Sequence, residues 1–366
     1  AALASAGNWA HAAKACVAKL GAIGPGDNLG FVYVTEELSE DLSSVLAFLR
    51  QTTKVQNWVG AVGMAVCGVG QELHEGMGIS AMVAALPEGS FHILHGVLDD
   101  TQELDSSTRK WLSGKPAFLG VVHGDPRNAQ LPALIQRLAE DSGGFLVGGL
   151  TSVVGEETQV ADYATGGGVS GVLLNRGVAA AVGLSQGCIP IGPARTVTES
   201  MSNVVVSLDG RPAVEALKED LGEDQAHDLR RIAGAVHVGL PVDGSDRADY
   251  VVRTLAGFDA SRGWLSIGAE VEPGDRLLFV RRDPEIAQAD LRRMVRDVRR
   301  RVEGEARGGL YVSCVGRGPN MFGSPGAEMA LIREELGDLP ISGFYANGEI
   351  CNGRLYGYTG VLTLFS

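Results

Sequence analysis

Three segments of this 366-residue chain share one layout, and that recurrence restricts the fold more than any other feature. They run from Asn28 to Leu86, from Ala117 to Asn175 and from Gly308 to Phe365. Each opens with an apolar run (Leu29–Val34, Phe118–Val122, Leu310–Val315) and passes through polar or Gly-rich residues. Helical apolar spacing follows over 39–51, 128–141 and 326–336. The chain then returns with a Gly-containing apolar run: Trp58–Cys67, Phe145–Val154 and Ile341–Tyr345. A short turn carrying an acid (Glu72, Glu156, Glu349) and a last apolar run (Gly78–Leu86, Gly168–Leu174, Gly360–Phe365) close each unit.

The unit reads β-α-β-β. Its βαβ part implies a right-handed parallel crossover, and the hairpin-length turn makes the last strand antiparallel. The expected fold is therefore α/β, with mixed parallel/antiparallel sheets, packed helices and repeated β-α-β-β units in two domains. Three unevenly spaced units are too few for a solenoid, so duplication within two domains is the more economical reading. Further strand–helix pairs stand between the units. Phe91–Val97 precedes a helix near 103–113, and Arg276–Arg281 precedes a long helix over 284–305. A strand near Val178–Leu184 runs into Ser185–Pro193, whose two prolines and two glycines break regular structure. The domain boundary is expected near residue 200, giving domains 1–200 and 201–366. Residues 8–20 read as a packed helix through Trp9, Ala12, Ala13, Cys16, Val17 and Leu20.

Composition removes several function classes. The formal charge is −13, which argues against nucleic acid as a partner. The one basic run, Arg292 to Arg301, keeps helical spacing through Leu291, Met294, Val295, Val298 and Val302. It reads as one amphipathic helix with a solvated Arg face, or as a docking surface for an acidic partner. Five cysteines, at 16, 67, 188, 314 and 351, form no CxxC, so neither a disulfide framework nor a zinc knuckle is indicated. No apolar stretch approaches the ~20 residues that span a bilayer. The first residues carry no basic n-region of a signal peptide. A cytoplasmic protein without membrane insertion is the expectation.

The third unit holds the richest candidate chemistry. Its first strand ends in Gly316-Arg317-Gly318-Pro319, and Ser324-Pro325 suits a helix start. A Gly-rich turn leading into a helix offers N–H groups to an anion, and Arg317 adds a bidentate donor. A parallel strand over Ser342–Tyr345 brings Asn347 and Glu349 to the same sheet edge, where open α/β sheets bind ligands. The alternative is a turn and nothing more, since the full dinucleotide fingerprint and the Walker motif are both missing. Cys314 beside Arg317 reads either as a small buried residue or as an activated thiol, and Cys351 follows Glu349. A Cys–His nucleophilic pair requires His237 nearby. The histidines are His11, His74, His92, His95, His123, His227 and His237. His92 and His95, three apart in a strand, face opposite sides and are poorly placed to share a metal. One histidine suffices as an axial haem ligand.

Ordered motifs along nearly the whole chain resemble the FIST family. In the first half they are Trp58–Gly70 with Glu75-Gly76, Gly148-Gly149-Leu150 and Ser170-Gly171-Val172. Gln186-Gly187-Cys188, Pro190-Ile191-Gly192-Pro193 and Leu208-Asp209-Gly210-Arg211-Pro212-Ala213 follow. In the second half they are Val238-Gly239-Leu240-Pro241, Tyr250-Val251-Val252-Arg253, Arg282-Asp283, Cys314-Val315-Gly316-Arg317-Gly318 and Asn347-Gly348-Glu349-Ile350. Tyr356 stands where the family often has His. The resemblance implies paired FIST N- and C-terminal domains that bind a small ligand, an amino acid among the candidates, and report to a separate signalling protein. The expected activity is sensory and non-enzymatic, with no cofactor. The expected ligand contacts are Arg317, Asn347 and Glu349, with Arg253, Arg282, Asp283, Cys314 and Tyr356 as further pocket positions. Two rival readings are a haem-based nitric oxide sensor and a cysteine-dependent enzyme.

Overall fold

The computed structural model describes residues 1–99, 104–114, 116–222, 234–242 and 250–366. Two compact units emerge: Ala1–Gln186 with Gln288–Ser366, and Gly187–Ala287. The division expected near residue 200 falls within the second of these units, and the third β-α-β-β segment shares sheets with the first two.

The larger unit consists of three repeats, each longer than the sequence pattern suggested. The first runs β1 (Ala2–Ala6), α1 (Trp9–Leu20), β2 (Leu29–Thr35), α2 (Leu42–Thr53), β3 (Asn57–Gly63), hairpin β4 (Val66–Gly68) and β5 (Gln71–Leu73), then β6 (Met77–Ala84). The second runs β7 (Phe91–Val97), α3 (Ser106–Gly114), β8 (Leu119–Gly124), α4 (Leu131–Ser142), β9 (Phe145–Leu150), hairpin β10 (Gln159–Ala161) and β11 (Tyr163–Thr165), then β12 (Val169–Leu174). The third opens with β13 (Ala180–Gln186) and is interrupted by the smaller unit, which carries β14 to β21 and α5. It resumes with α6 (Pro284–Arg301), β22 (Gly308–Cys314), α7 (Pro319–Phe322), α8 (Ala327–Leu336), β23 (Ile341–Ala346), hairpin β24 (Glu349–Cys351) and β25 (Arg354–Tyr356), and β26 (Thr359–Phe365). The strand that corresponds to β1 and β7 is therefore β13. The Arg276–Arg281 run belongs to the inserted unit.

The central strands β2, β8 and β22 are buried at every residue, as parallel strands covered on both faces must be. Each pairs in parallel with the strand after its helix (β3, β9, β23) and antiparallel with the last strand of its repeat (β6, β12, β26). The hairpins do not stay at home. That of the first repeat adds to β23, that of the second to β3, and that of the third to β9. The exchange closes a ring of three six-stranded sheets.

One glycine per repeat permits this. A Cβ on Gly60, Gly148 or Gly343 would lie 1.6, 1.9 or 1.7 Å from the carbonyl oxygen of Val32, Val122 or Tyr311. These glycines pair with those same residues on the parallel strand and with Val160, Ile350 and Cys67 of the incoming hairpins. The register makes Val32, Val122 and Tyr311 equivalent, and hence also Tyr33, His123 and Val312.

Helices cover one face of the sheets. Ala12, Ala13 and Cys16 of α1 and Val45, Leu46 and Leu49 of α2 pack on Val32, Val34 and Ile79. Leu131, Leu134, Ile135 and Leu138 of α4 do the same beside Val122 and Leu173. Rings from all three sheets meet one another: Tyr33 stacks on Phe344 with centroids 4.9 Å apart, and His123 lies 5.5 Å from Tyr33 and 5.8 Å from Phe344.

The smaller unit is antiparallel. Its strands β14 (Cys188–Pro190), β15 (Arg195–Met201), β16 (Val204–Leu208), β17 (Arg211–Pro212), β18 (Val236–Pro241), β19 (Tyr250–Asp259), β20 (Trp264–Ile267) and β21 (Arg276–Arg282) form one sheet, which an extra β21–β18 pairing closes into a barrel. Helix α5 (Ala213–Leu221) contributes Val214 and Leu217 to its core with Val238 and Phe279. His227, and residue 103 of the helix expected near 103–113, lie outside the described residues. No helix among the described residues is long and apolar enough to cross a membrane.

Candidate functional site

The turn after β22 binds a carboxylate, and the chain itself supplies it. Arg317, expected as a free donor at the sheet edge, is fully buried and pairs through Nε with Glu328 Oε1 at 2.8 Å. Glu328 stands in the first turn of α8, which the Gly-rich loop returns beneath the strand end. It also accepts from Tyr311 Oη (2.6 Å), Ser313 Oγ (3.0 Å), Tyr345 Oη (3.2 Å) and the Gly318 amide (3.3 Å). The Arg317 guanidinium reaches the Ser185 carbonyl at 3.3 Å and lies 5.1 Å from the Phe322 ring centroid. Burial opposes its charge, but the Glu328 carboxylate more than offsets this and holds the guanidinium firmly protonated. The N–H groups and the Arg that the sequence offered to an external anion are thus engaged internally.

The exchanged hairpin of the first repeat completes this cluster. Glu72 of β5 accepts the Met329 amide at 3.0 Å, capping α8 from a distant part of the chain, and meets His74 Nε2 at 2.7 Å. Burial alone would raise the Glu72 pKa, yet the bonds from His74 and the α8 amides bring it below the usual carboxylate value. The three turn acids of the sequence pattern are therefore not equivalent. Glu72 caps a helix, Glu156 is exposed, and Glu349 begins β24 at the position matched by Gln159 and Val66.

Glu349 is fully buried and accepts from the Thr359 amide (3.1 Å) and hydroxyl (2.6 Å), while its Oε1 has no partner among the described residues. Burial pushes its pKa up to about 8, against the pull of Thr359 and Arg317. It shares one sheet row with Ser170, His123 and Gly149. Cys314 lies close by, and burial followed by the Glu349 charge drives its thiol well above the ordinary value. Tyr356 pairs with Glu349 across the hairpin and is buried, whereas Asn347 is exposed. Arg317, Glu349, Cys314 and Tyr356 thus come together as core.

The remaining expected positions lie in the smaller unit or at its end. Arg253 faces Val238 across β19 and β18, donates to the Val252 carbonyl at 3.0 Å, and has its pKa lowered by burial. Arg282 ends β21 opposite Cys188. Asp283 caps α6, its Oδ1 accepting the Glu285 and Ile286 amides at 3.1 and 3.0 Å. Burial, then the Arg282 charge, lowers the His237 pKa to about 4. His237 belongs to the smaller unit and Cys314 to the larger. Glu328, which sequence reasoning missed, left one signal: Tyr311 and Ser313 place hydroxyls at alternate positions of a strand expected to be wholly apolar.

The basic face of α6 is ion-paired. Arg292 meets Glu334 at 2.6 Å, Arg296 meets Glu335 at 2.7 Å, and Arg293 meets Asp290 and Asp297 at 2.6 and 3.1 Å. All five cysteines are buried. His92 engages Thr108 of α3 at 2.9 Å and His95 stacks on Tyr163 of β11, so the two serve different neighbours. No group of three metal-ligating side chains occurs among the described residues.

At the opposite end of the parallel strands a cavity of about 250 Å³ opens. Ala84, Leu174 and Phe365 line it, each the partner of the first residue or so of its central strand (Leu29, Leu119, Gly308). The cavity therefore marks where the three repeats converge. Phe31 and Met82 form apolar wall, and Asp27 and Arg307 stand at its rim. A haem needs an axial His, Cys, Met or Tyr with room for the macrocycle. The described lining holds no His, Cys or Tyr and offers Met82 alone, His123 is sealed among rings, and about 250 Å³ leaves no room for the macrocycle, so these residues do not fit that group.

An uncharacterised protein of Mycobacterium bovis is 35% identical over 190 residues, covering 50% of this chain and 49% of its own length. An uncharacterised protein of Mycobacterium tuberculosis is 34% identical over 190 residues, covering 50% of each. The chain thus matches about half the length of these curated relatives. The FIST N domain model matches residues 28–211 and the FIST C domain model residues 213–352, a boundary that falls within the inserted unit. Matched by both models in succession, the chain belongs to the FIST family, whose domains are associated with sensory signal transduction.

Proposed function

We propose that this protein is a non-enzymatic sensor that binds a small polar metabolite and signals through a separate partner protein. The observation that carries the reading is the cavity at the convergence of the three repeats. Its volume of about 250 Å³ lies just under the range of ~300–1,000 Å³ usual for drug-sized ligands, a size suited to a metabolite. A closed ring of sheets gives such a site rigid walls, and occupancy there acts on all three repeats at once. The buried, strongly protonated Cys314 thiol favours this reading over a cysteine-dependent enzyme, because the thiolate is the nucleophile. Native mass spectrometry of protein purified without added ligand tests the proposal. A retained metabolite mass supports it. An empty protein that also shows no thermal shift across a metabolite library overturns it.

A further inference from the structure

We infer that the cavity at the convergence of the three repeats is a seat for a small monocarboxylate with a compact apolar body, such as a branched-chain or aryl-acetic acid. The inference rests on the sensor reading above and gives it a ligand class and a location. The repeats are equivalent at the cavity wall, but their side chains are not equal in size. Leu174 and Phe365 fill their positions, whereas the first repeat has Ala84 at the same register. Ala84 leaves open the space that a larger side chain would take, and Phe31 and Met82 line the same cavity. Phe31 and Phe365 stack with centroids 6.4 Å apart and present a flat apolar wall.

The rim selects the charge. Arg307 is exposed, and its guanidinium makes no ion pair or hydrogen bond among the described residues, whereas Arg292, Arg293, Arg296, Arg317 and Arg333 are all paired. A free guanidinium fork matches a carboxylate in two parallel bonds. Asp27, the acid at the same rim, already accepts the Gly24 amide at 2.7 Å and is drawn into its own loop. Of the two rim charges, Arg307 is the one left without an internal partner among the described residues, which favours an acid. In a chain with a formal charge of −13, an unpaired Arg is also the local feature able to attract an anion to this edge.

The test titrates phenylacetate and isovalerate, with phenylacetamide as the uncharged control, into the full chain by calorimetry and ligand-observed NMR. Three proteins are compared: wild type, Ala84→Phe and Arg307→Gln. Ala84→Phe places in the first repeat the residue the third already has, and circular dichroism reports whether it folds. Arg307→Gln changes an exposed side chain and keeps the proposal testable if Ala84→Phe does not fold. The expected result is binding of both acids but not of the amide to wild type. Weakening by about tenfold or more is expected in each folded variant, the size set by losing a charged hydrogen bond or the occupied space. Equal binding in all three proteins overturns the seat and leaves the sensor reading standing. Failure of both acids to bind wild type overturns the ligand class, while a metabolite retained in the native mass spectrum still upholds the sensor reading.

Discussion

At the scale of single residues, the core of the larger unit is held by charges rather than freed from them. Arg317→Ala removes one member of a fully buried pair and leaves Glu328 facing three hydroxyls with its countercharge gone. The expected loss is about 3–5 kcal/mol of stability, read from chemical denaturation. A ligand donor at a sheet edge would instead leave the unfolding midpoint in place, so an unchanged midpoint would return Arg317 to the role its sequence context suggested. Glu349 makes a second prediction. Its folded carboxyl keeps a proton up to about pH 8, while the unfolded carboxyl has a value of 4.5. The stability it contributes is therefore complete below about pH 4.5 and drains away as pH rises towards 8. Glu349→Gln, which keeps an acceptor for Thr359 and carries no charge, is expected to flatten stability across that window, measured as unfolding midpoint against pH. His123, lowered by burial to about 3, acts in the opposite sense and costs stability as pH falls below its unfolded value of 6.5.

At the scale of elements, the hairpins decide the architecture. Glu72 reaches across from the first repeat to cap α8 of the third, so Glu72→Ala is expected to cost about 0.5–2 kcal/mol, as loss of a helix cap does. Hydrogen exchange should localise the change to the first turn of α8. A uniform effect over all three repeats would count against the cap. This element also shows what the sequence revealed. Strand, helix and return strand repeat in apolar periodicity, and that periodicity is local, so β2-α2-β3, β8-α4-β9 and β22-α8-β23 were readable. Hairpin strands three residues long carry no mark of their partner, so Trp58–Cys67 read as one strand where β3 and β4 belong to different sheets. The third repeat hid its opening strand because the inserted unit separates β13 from α6. The candidate site suffered likewise. The Gly-rich turn, Arg317, Cys314 and Glu349 were recognisable as polar groups at one strand end, but Glu328 is only an acid early in a helix until the fold turns it inward.

At the scale of the whole molecule, the smaller unit enters and leaves the larger at one place. The Gln186 amide donates to Asp290 Oδ2 at 2.8 Å, so the two ends of the insertion are adjacent in the larger unit. Replacing residues 187–287 by a short Gly-containing linker is expected to leave a protein with one cooperative thermal transition. A broad or absent transition would show that the larger unit needs the insertion. The hairpin exchange has a consequence for how the chain is made. Cys67 donates to the Tyr311 carbonyl across 244 residues of sequence, so the home of its hairpin is synthesised long after the hairpin itself. On the ribosome, the first repeat must therefore wait with its hairpin unmatched, and β9 must wait with an open edge, until the third repeat emerges. Such delayed edges attract other chains. The nascent protein is vulnerable from the making of the first hairpin to that of the third repeat, and it becomes safe all at once, when β24, β25 and β26 complete the ring.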